Sequence, residues 1–112
     1  MQPMHAAATA LTALSIAFAP GDGGAARHWT LRCAPVGGTL PQAAVACRRL
    51  AAFADPFAPT PKGSACTQLY GGPQTARVTG TFRGRSVWAR FARRNGCEIA
   101  RWQRVAFLFP AS

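Results

Sequence analysis

The sequence predicts an α+β domain built on an antiparallel sheet. Several short segments alternate apolar and polar residues, which is typical of strands, and one longer segment has its apolar residues at helical spacing. Turns rich in Gly and Pro separate these segments. A length of 112 residues favours one domain, and 49% hydrophobic residues suffice for a modest core. We expect residues 1–10 to be a disordered N-terminal extension and residues 11–112 to form the domain.

The first strand is predicted over residues 11–18, where Leu14, Ile16 and Phe18 alternate with smaller side chains. Residues 20–26 (PGDGGAA) then predict a turn, because they contain three glycines and a proline.

The same N-terminal region allows a second interpretation, as part of a signal peptide. Residues 6–19 are apolar, and Ala17-Phe18-Ala19 fits a cleavage site with small residues at both ends. However, the first five residues contain neither Lys nor Arg, and Pro20 would follow the cleaved bond. The stretch is also too short to span a bilayer. We favour the strand, with any leader lying upstream of it.

A second strand over 28–32 leads into Cys33, and residues 34–40 (APVGGTL) form a tight loop. The clearest helix of the chain runs from Pro41 to about Ala54. A proline is tolerated in the first helical turn, where its missing N–H costs no hydrogen bond. Asp55-Pro56 ends the helix, because the residue before a proline avoids helical backbone angles. The face expected to be apolar comprises Ala43, Cys47, Leu50, Ala51 and Ala54.

Residues 55–65 (DPFAPTPKGSA) predict a loop that three prolines stiffen. Extended backbone should follow over residues 65–70, and Gly71-Gly72-Pro73 should turn the chain. Two alternating segments, 74–82 and 85–92, are joined by Arg83-Gly84 and predict a hairpin.

The C-terminal part should begin with a short helix or turn from Cys97 through Trp102. The apolar run from Val105 to Phe109 (VAFLF) predicts a closing strand that fills the core.

Four cysteines in so short a chain indicate two disulfides and an oxidising compartment. Three pairings are possible, of which we favour the sequential one, Cys33–Cys47 with Cys66–Cys97. Closing a loop of about 15 residues contributes roughly 3 kcal/mol in the chain-entropy model. A zinc site is the alternative, but no CxxC pair exists and neither histidine lies near a cysteine in sequence. We expect no metal and no cofactor.

The net charge of +10 arises from twelve Arg and one Lys against three acidic residues. Such an excess makes nucleic acid a partner to consider. Arg48-Arg49 and Arg93-Arg94 are the only adjacent basic pairs, and no nucleic-acid-binding motif accompanies them. We therefore expect neither a nucleic-acid nor a membrane partner.

Enzymatic activity is not indicated. Catalysis by paired carboxylates requires two neighbouring acids, and the chain has only Asp22, Asp55 and Glu98. The chain contains the residue types of a Ser/His/Asp set, but it has no nucleophile motif such as GxSxG. The cysteines are assigned to bridges, and the glycine-rich stretches lack phosphate-loop spacing. The protein is expected not to be an enzyme.

Five segments together resemble the Streptomyces subtilisin inhibitor family. Cys33-Ala34-Pro35, a Gly-containing turn, Pro41, four residues and Ala46-Cys47-Arg48-Arg49-Leu50 resemble its signature. The further segments are Cys66 with Tyr70 and Pro73, the hairpin from Gly80 to Val87, Asn95-Gly96-Cys97-Glu98, and Val105-Ala106-Phe107. The resemblance spans residues 11–109.

This resemblance implies a five-stranded antiparallel sheet with two helices and the sequential disulfide pairing. It also implies a secreted protein, a homodimer formed sheet to sheet, and a serine endopeptidase of the subtilisin type as partner. The alternation over residues 11–18 would supply a face for that dimer.

The resemblance further implies substrate-like inhibition through the loop 64–71. Its P1 residue lies two positions after the third cysteine, which makes Gln68–Leu69 the scissile bond. The neighbouring subsites would be Ala65 (P4), Cys66 (P3), Thr67 (P2) and Tyr70 (P2′). Asn95 corresponds to the asparagine that supports the loop, since its amide can donate to a loop carbonyl and stiffen the loop before binding.

The sequence departs from the family pattern at four positions. Leu40 replaces a histidine, Thr67 a common proline, and Gly72 is an extra residue. Gln68 stands where Met or Lys is usual. Gln68 and the high charge keep a second hypothesis open: a basic secreted binding protein on the same scaffold, with an inactive loop.

Overall fold

The computed structural model describes residues 11–110 and has the expected α+β class. Its sheet contains four antiparallel strands: β1 (Thr12–Ala19), β2 (Arg27–Cys33), β3 (Thr75–Phe82) and β4 (Arg85–Phe91). In space their order is β2-β1-β3-β4. The helices are α1 (Ala43–Ala51) and α2 (Gly96–Arg104), with a 3₁₀ turn over Ala106–Leu108. The N-terminal extension predicted for residues 1–10 lies outside the described residues.

The four strands begin and end within one residue of their predicted limits, because the alternation that predicted them reflects burial. Ile16 pairs with Trp29 on one side and Val78 on the other, and all three are buried. A shift of one residue in either pairing would turn these side chains to solvent, so the core fixes the register. The opposite face of the sheet, which carries Ala17, Arg77 and Arg90, is the outer face.

The predicted fifth strand over residues 105–109 is wrong within the described chain. The segment follows α2 directly and forms a 3₁₀ turn, in which the N–H groups of Leu108 and Phe109 donate to Val105 and Ala106 at 2.9 Å. Its buried side chains are Val105, Leu108 and Phe109, a helical spacing of three and four residues. A short apolar run does not distinguish a buried strand from a buried helical turn.

The first predicted helix is shorter than expected. Gln42 adopts a left-handed conformation (φ 54°), so Pro41 lies before the helix. At the other end, the guanidinium of Arg83 donates to the carbonyls of Ala51 (3.0 Å) and Phe53 (3.4 Å), which are left free where the helix stops. The inward face is built from Ala46 and Leu50, whereas the expected Ala51 and Ala54 are exposed.

Both predicted bridges form. Cys33–Cys47 joins the end of β2 to α1, and Cys66–Cys97 joins the loop before β3 to the first turn of α2. Helix α2 lies on the inner face through Trp102, whose ring meets those of Phe18 (centroids 6.2 Å apart) and Phe109 (4.8 Å). Across residues 11–110, neither helix has the length and apolarity needed to span a membrane.

Candidate functional site

The most exposed apolar side chains outside the sheet lie next to each other in the loop before β3. Leu69 is 61% exposed and Tyr70 65%, and Gln68 beside them is also exposed. The loop around them has no regular secondary structure. No hydrogen bond joins these three residues to any other part of residues 11–110. They therefore form a short stretch whose surface is open to a partner.

The stretch is nevertheless fixed on its N-terminal side. Cys66 is bridged to Cys97, with the two Cα atoms 5.2 Å apart. The next residue, Thr67, accepts a hydrogen bond on its carbonyl from the N–H of Gly96 at 3.0 Å. This N–H is one of those left unpaired at the start of a helix, so the loop satisfies a donor that α2 leaves free. One covalent and one polar contact thus hold adjacent residues.

Gly96 allows the loop to lie this close to α2. A Cβ atom at this position would stand 2.0 Å from the Thr67 hydroxyl oxygen and 3.3 Å from the Thr67 Cβ. The first distance is far below van der Waals contact. Any larger residue at position 96 would have to displace the Thr67 side chain.

On its C-terminal side the stretch is held by Arg93, which lies two residues after the end of β4. The Gly71 N–H donates to the Arg93 carbonyl at 2.6 Å, and the Arg93 Nε donates back to the Gly71 carbonyl at 2.9 Å. The guanidinium also lies over the ring of Trp102, 5.5 Å from its centre. We call this two-way contact the Arg93 clamp. Since Trp102 is buried, the clamp connects the loop to the hydrophobic core.

Asn95 serves the loop through the helix. Its side-chain Oδ1 accepts from the Glu98 N–H at 3.0 Å and so caps the N-terminus of α2, which carries Gly96 and Cys97. Glu98 in turn pairs with Arg94 at 3.3 Å. Within residues 11–110 the Asn95 amide donates to no loop carbonyl, and the backbone N–H of Gly96 contacts the loop instead.

The proline-rich segment that enters the loop is fastened by Arg101 of α2. Its guanidinium donates to the carbonyls of Ala58 (2.8 Å) and Phe57 (3.4 Å), and also to that of Arg90. It lies 4.2 Å from the ring centre of Phe91. Burial lowers the pKa of Arg101 from its ordinary value, with repulsion from Arg104 as a further lowering cause that Glu98 opposes. The approach to the loop is therefore fixed as well.

At the start of α2 the structure brings together four of the residues that the sequence singled out, namely Cys66, Thr67, Asn95 and Cys97. Cys33 and Cys47 form the other bridge, between β2 and α1. Sequence reasoning missed Arg93, Gly96 and Arg101. A glycine directly before a bridged cysteine was the one available signal for Gly96. Arg93 stood out in the sequence only as half of an adjacent basic pair, and nothing distinguished Arg101 from the other arginines.

The arrangement is suited to binding rather than to chemistry on a substrate. Three exposed residues lie between Thr67 and Gly71, two positions that are four residues apart and are both held by hydrogen bonds to the rest of the domain. The backbone between them has little freedom left to lose when a partner binds, so a cleft in another protein could take up the stretch at a small entropic cost.

Comparisons with known proteins agree with the fold. A family model described as subtilisin inhibitor-like matches residues 7–95 of the chain. Among solved structures, the chain is similar to Streptomyces caespitosus sermetstatin in its complex with Bacillus licheniformis subtilisin, with a TM-score of 0.54. The identity is 24%, and the match covers 85% of this chain and 96% of sermetstatin, which supports a shared fold. No curated protein matches the chain.

Proposed function

Because the chain belongs to the subtilisin inhibitor-like family, a family of protease inhibitors rather than enzymes, we propose that it inhibits subtilisin-type serine proteases with the loop 64–71. The observation that carries this proposal is the exposed stretch Gln68–Tyr70 held between the Cys66–Cys97 bridge and the Arg93 clamp. The subtilisin-bound sermetstatin structure, which shares the fold, supports the choice of target.

In this proposal the loop binds as a substrate does, with Gln68 in the S1 pocket and Leu69 on the leaving side. The scissile Gln68–Leu69 bond lies between the two halves of one disulfide. If the protease hydrolyses that bond, Cys66 stays covalently attached to Cys97. The Arg93 clamp keeps Gly71, and with it the new N-terminus at Leu69, near the same place. Both new ends remain in the cleft, so resealing of the bond competes with their release.

Gln68 sets the strength of the interaction. Its amide is neither the large apolar group that fills a subtilisin S1 pocket nor the cation that pairs with the acid of a trypsin pocket. The scaffold supplies a preorganised loop, and the P1 residue adds little apolar burial to it.

Titration of subtilisin activity against the protein tests this function. We expect inhibition at one loop per chain, and a nick at Gln68–Leu69 after long incubation, with both pieces held by the bridge. Gln68→Met should inhibit more strongly, whereas Gln103→Met makes the same change on an exposed position of α2 and should leave inhibition unchanged. Absence of inhibition by both the wild type and Gln68→Met at micromolar concentration would contradict the proposal.

We also propose that the protein is secreted. Two bridges and no free cysteine within residues 11–110 suit an oxidising compartment, where such bonds persist. Expression with an export signal should give the oxidised, inhibitory form, and expression in a reducing cytosol should not.

A homodimer remains a further proposal, with its contact on the outer face of the sheet. The apolar residues of β1 that suggested a dimer face are buried in the protein's own core. The outer face instead offers Ala13, Ser15 and the exposed Trp88. Light scattering at physiological salt should give about twice the chain mass of 11.8 kDa. A mass of one chain at micromolar concentration would exclude the dimer.

A further inference from the structure

The tip of the hairpin between β1 and β2 lies directly against the chain that leaves the exposed loop. This hairpin tip comprises residues 20–24 (PGDGG). A Cβ atom on Gly21 would stand 2.5 Å from the Pro73 carbonyl oxygen and 2.8 Å from the Pro73 Cβ. Gly21 also has a left-handed backbone (φ 77°), a conformation that favours glycine. Position 21 therefore requires glycine both for its backbone angles and for its distance from Pro73.

Pro73 belongs to the segment that returns from the exposed stretch to β3, residues 71–74, which we call the return segment. Its first residue, Gly71, is held by the Arg93 clamp and packs against Ile99 of α2. A Cβ on Gly71 would stand 2.8 Å from the Ile99 Cδ1, the end of a flexible side chain that can turn away. Gly21 instead meets backbone atoms of Pro73, which cannot turn away. The hairpin tip is thus the less yielding of these two supports.

The hairpin tip is stiff enough to act as a support. The Asp22 Oδ1 accepts a hydrogen bond from the Gly24 N–H at 3.0 Å, a local contact typical of tight turns. Pro20 fixes its own φ angle at the start of the tip. Below it, Phe18 pairs with Arg27 and closes the ladder of β1 and β2. The tip lies beyond the ends of these strands, so the face proposed for the dimer does not include it.

We propose that the hairpin tip sets the balance between the intact and the cleaved reactive loop by holding Pro73 in place. This proposal rests on the inhibitory function proposed above. Hydrolysis of the Gln68–Leu69 amide consumes one water and leaves a carboxylate on Gln68 and an amine on Leu69. Resealing forms the amide again and releases that water, so it requires the amine to stay beside the carboxylate.

The support at Pro73 limits how far the new amine can move. After cleavage, Leu69 is joined to β3 through residues 69–74 alone. A fully extended chain of that length reaches about 20 Å, whereas one that is fixed at Pro73 reaches about 14 Å. The Arg93 clamp shortens the free part further, but only while Gly71, two positions before Pro73, stays opposite Arg93. The hairpin tip therefore acts on resealing both directly and through the clamp.

Gly21→Ala should disturb this arrangement measurably. Its Cβ would lie about 1 Å short of ordinary van der Waals contact with the Pro73 oxygen, which begins at 3.4 Å. Because backbone atoms stand on the other side, the return segment has to move by a similar distance. A misplacement of about 1 Å can slow a reaction that depends on positioning by about 100-fold. The strain also falls on the intact loop, since the cleaved loop is free to relax.

The matched control is Gly23→Ala in the same hairpin tip. Gly23 is left-handed as well (φ 86°), but nothing lies within 4 Å of a Cβ placed there. Both variants therefore carry the same kind of backbone strain, and only Gly21→Ala displaces Pro73. The measurements are the inhibition constant for subtilisin and the equilibrium ratio of intact to cleaved chain, approached from both forms below the Tm of each variant.

For Gly21→Ala we expect an inhibition constant about tenfold higher or more, and a ratio shifted by a similar factor towards the cleaved chain. Gly23→Ala should stay within about threefold of wild type in both. Equal values for the two variants would overturn the proposal. So would a lower Tm of Gly21→Ala with an unchanged ratio, because the contact would then stabilise the fold alone.

A second variant removes the support without adding a clash. Replacing residues 20–25 by Asn-Gly joins the strands through a two-residue turn that suits antiparallel hairpins. This variant should shift the ratio towards the cleaved chain as Gly21→Ala does, and an unchanged ratio would overturn the proposal even if Gly21→Ala failed to fold. Wild-type inhibition tests the proposed function separately. If wild type inhibits and the variants do not differ from it, only the role of the hairpin tip is refuted; if wild type does not inhibit, both are.

Discussion

Loss of the side-chain half of the Arg93 clamp should weaken protease inhibition without removing any residue that faces the protease. In Arg93→Gln the backbone bond from the Gly71 N–H remains, but the charged Nε donor at 2.9 Å from the Gly71 carbonyl is lost. A hydrogen bond from a charged group contributes roughly 1.5–3 kcal/mol, and the half-buried position of Arg93 favours the lower end. The contact with the Trp102 ring adds about 0.5 kcal/mol.

The sum of about 2 kcal/mol corresponds to roughly a 30-fold increase in the inhibition constant. This value assumes that, in the variant, the free loop is no longer held in its binding conformation. The free energy of ordering the loop is then taken from the free energy of binding. Cleavage of Gln68–Leu69 should also become faster, because the leaving side is held less firmly.

The assay is the inhibition constant for subtilisin, measured well below the Tm of each variant, with a parallel time course of loop cleavage. Arg94→Gln is the matched control, since it removes the same charge from the neighbouring residue, whose side chain is 73% exposed in its ion pair with Glu98. Such a pair contributes about 0–1 kcal/mol to stability, and its loss should leave inhibition within about threefold of wild type. An unchanged inhibition constant for Arg93→Gln together with a lower Tm would refute the reasoning, because the clamp would then stabilise the fold alone.

Three other predictions concern Gln68, Gly96 and Arg101. Gln68→Met should tighten subtilisin binding by about 1–2 kcal/mol through added apolar burial, and Gln68→Lys should introduce trypsin inhibition; inhibition assays against both proteases check this. Gly96→Ala should weaken inhibition because its Cβ would overlap the Thr67 hydroxyl. Adding Thr67→Ala to that variant should restore most of the lost inhibition. Unchanged inhibition by Gly96→Ala alone would contradict the packing argument. Arg101→Gln should lower the free energy of unfolding by about 2 kcal/mol in a denaturant titration, because part-buried carbonyls lose a charged donor. A change below about 0.5 kcal/mol would contradict this.

Much of the fold was predictable because it depends on local periodicity. The alternation in β1 and in the hairpin of β3 and β4 reflects one buried and one exposed face, a property that each segment carries in its own sequence. The sequential bridges were predictable from spacing and family resemblance together. The segment from Val105 to Phe109 was not, since a short apolar run lacks a period, and its position directly after α2 decided that it forms a turn.

The sequence by itself determined the location of the exposed loop, through the third cysteine and the residues after it, and the large excess of positive charge. Only the tertiary structure decided which arginines hold that loop and which lie unpaired on the sheet. Arg93 and Arg101 reach backbone carbonyls that are 11 to 44 positions away in sequence, and Arg77 meets Arg90 through strand register. The role of an arginine is set by which acceptors or charges the fold brings within a few ångströms of it, and no local pattern encodes that distance.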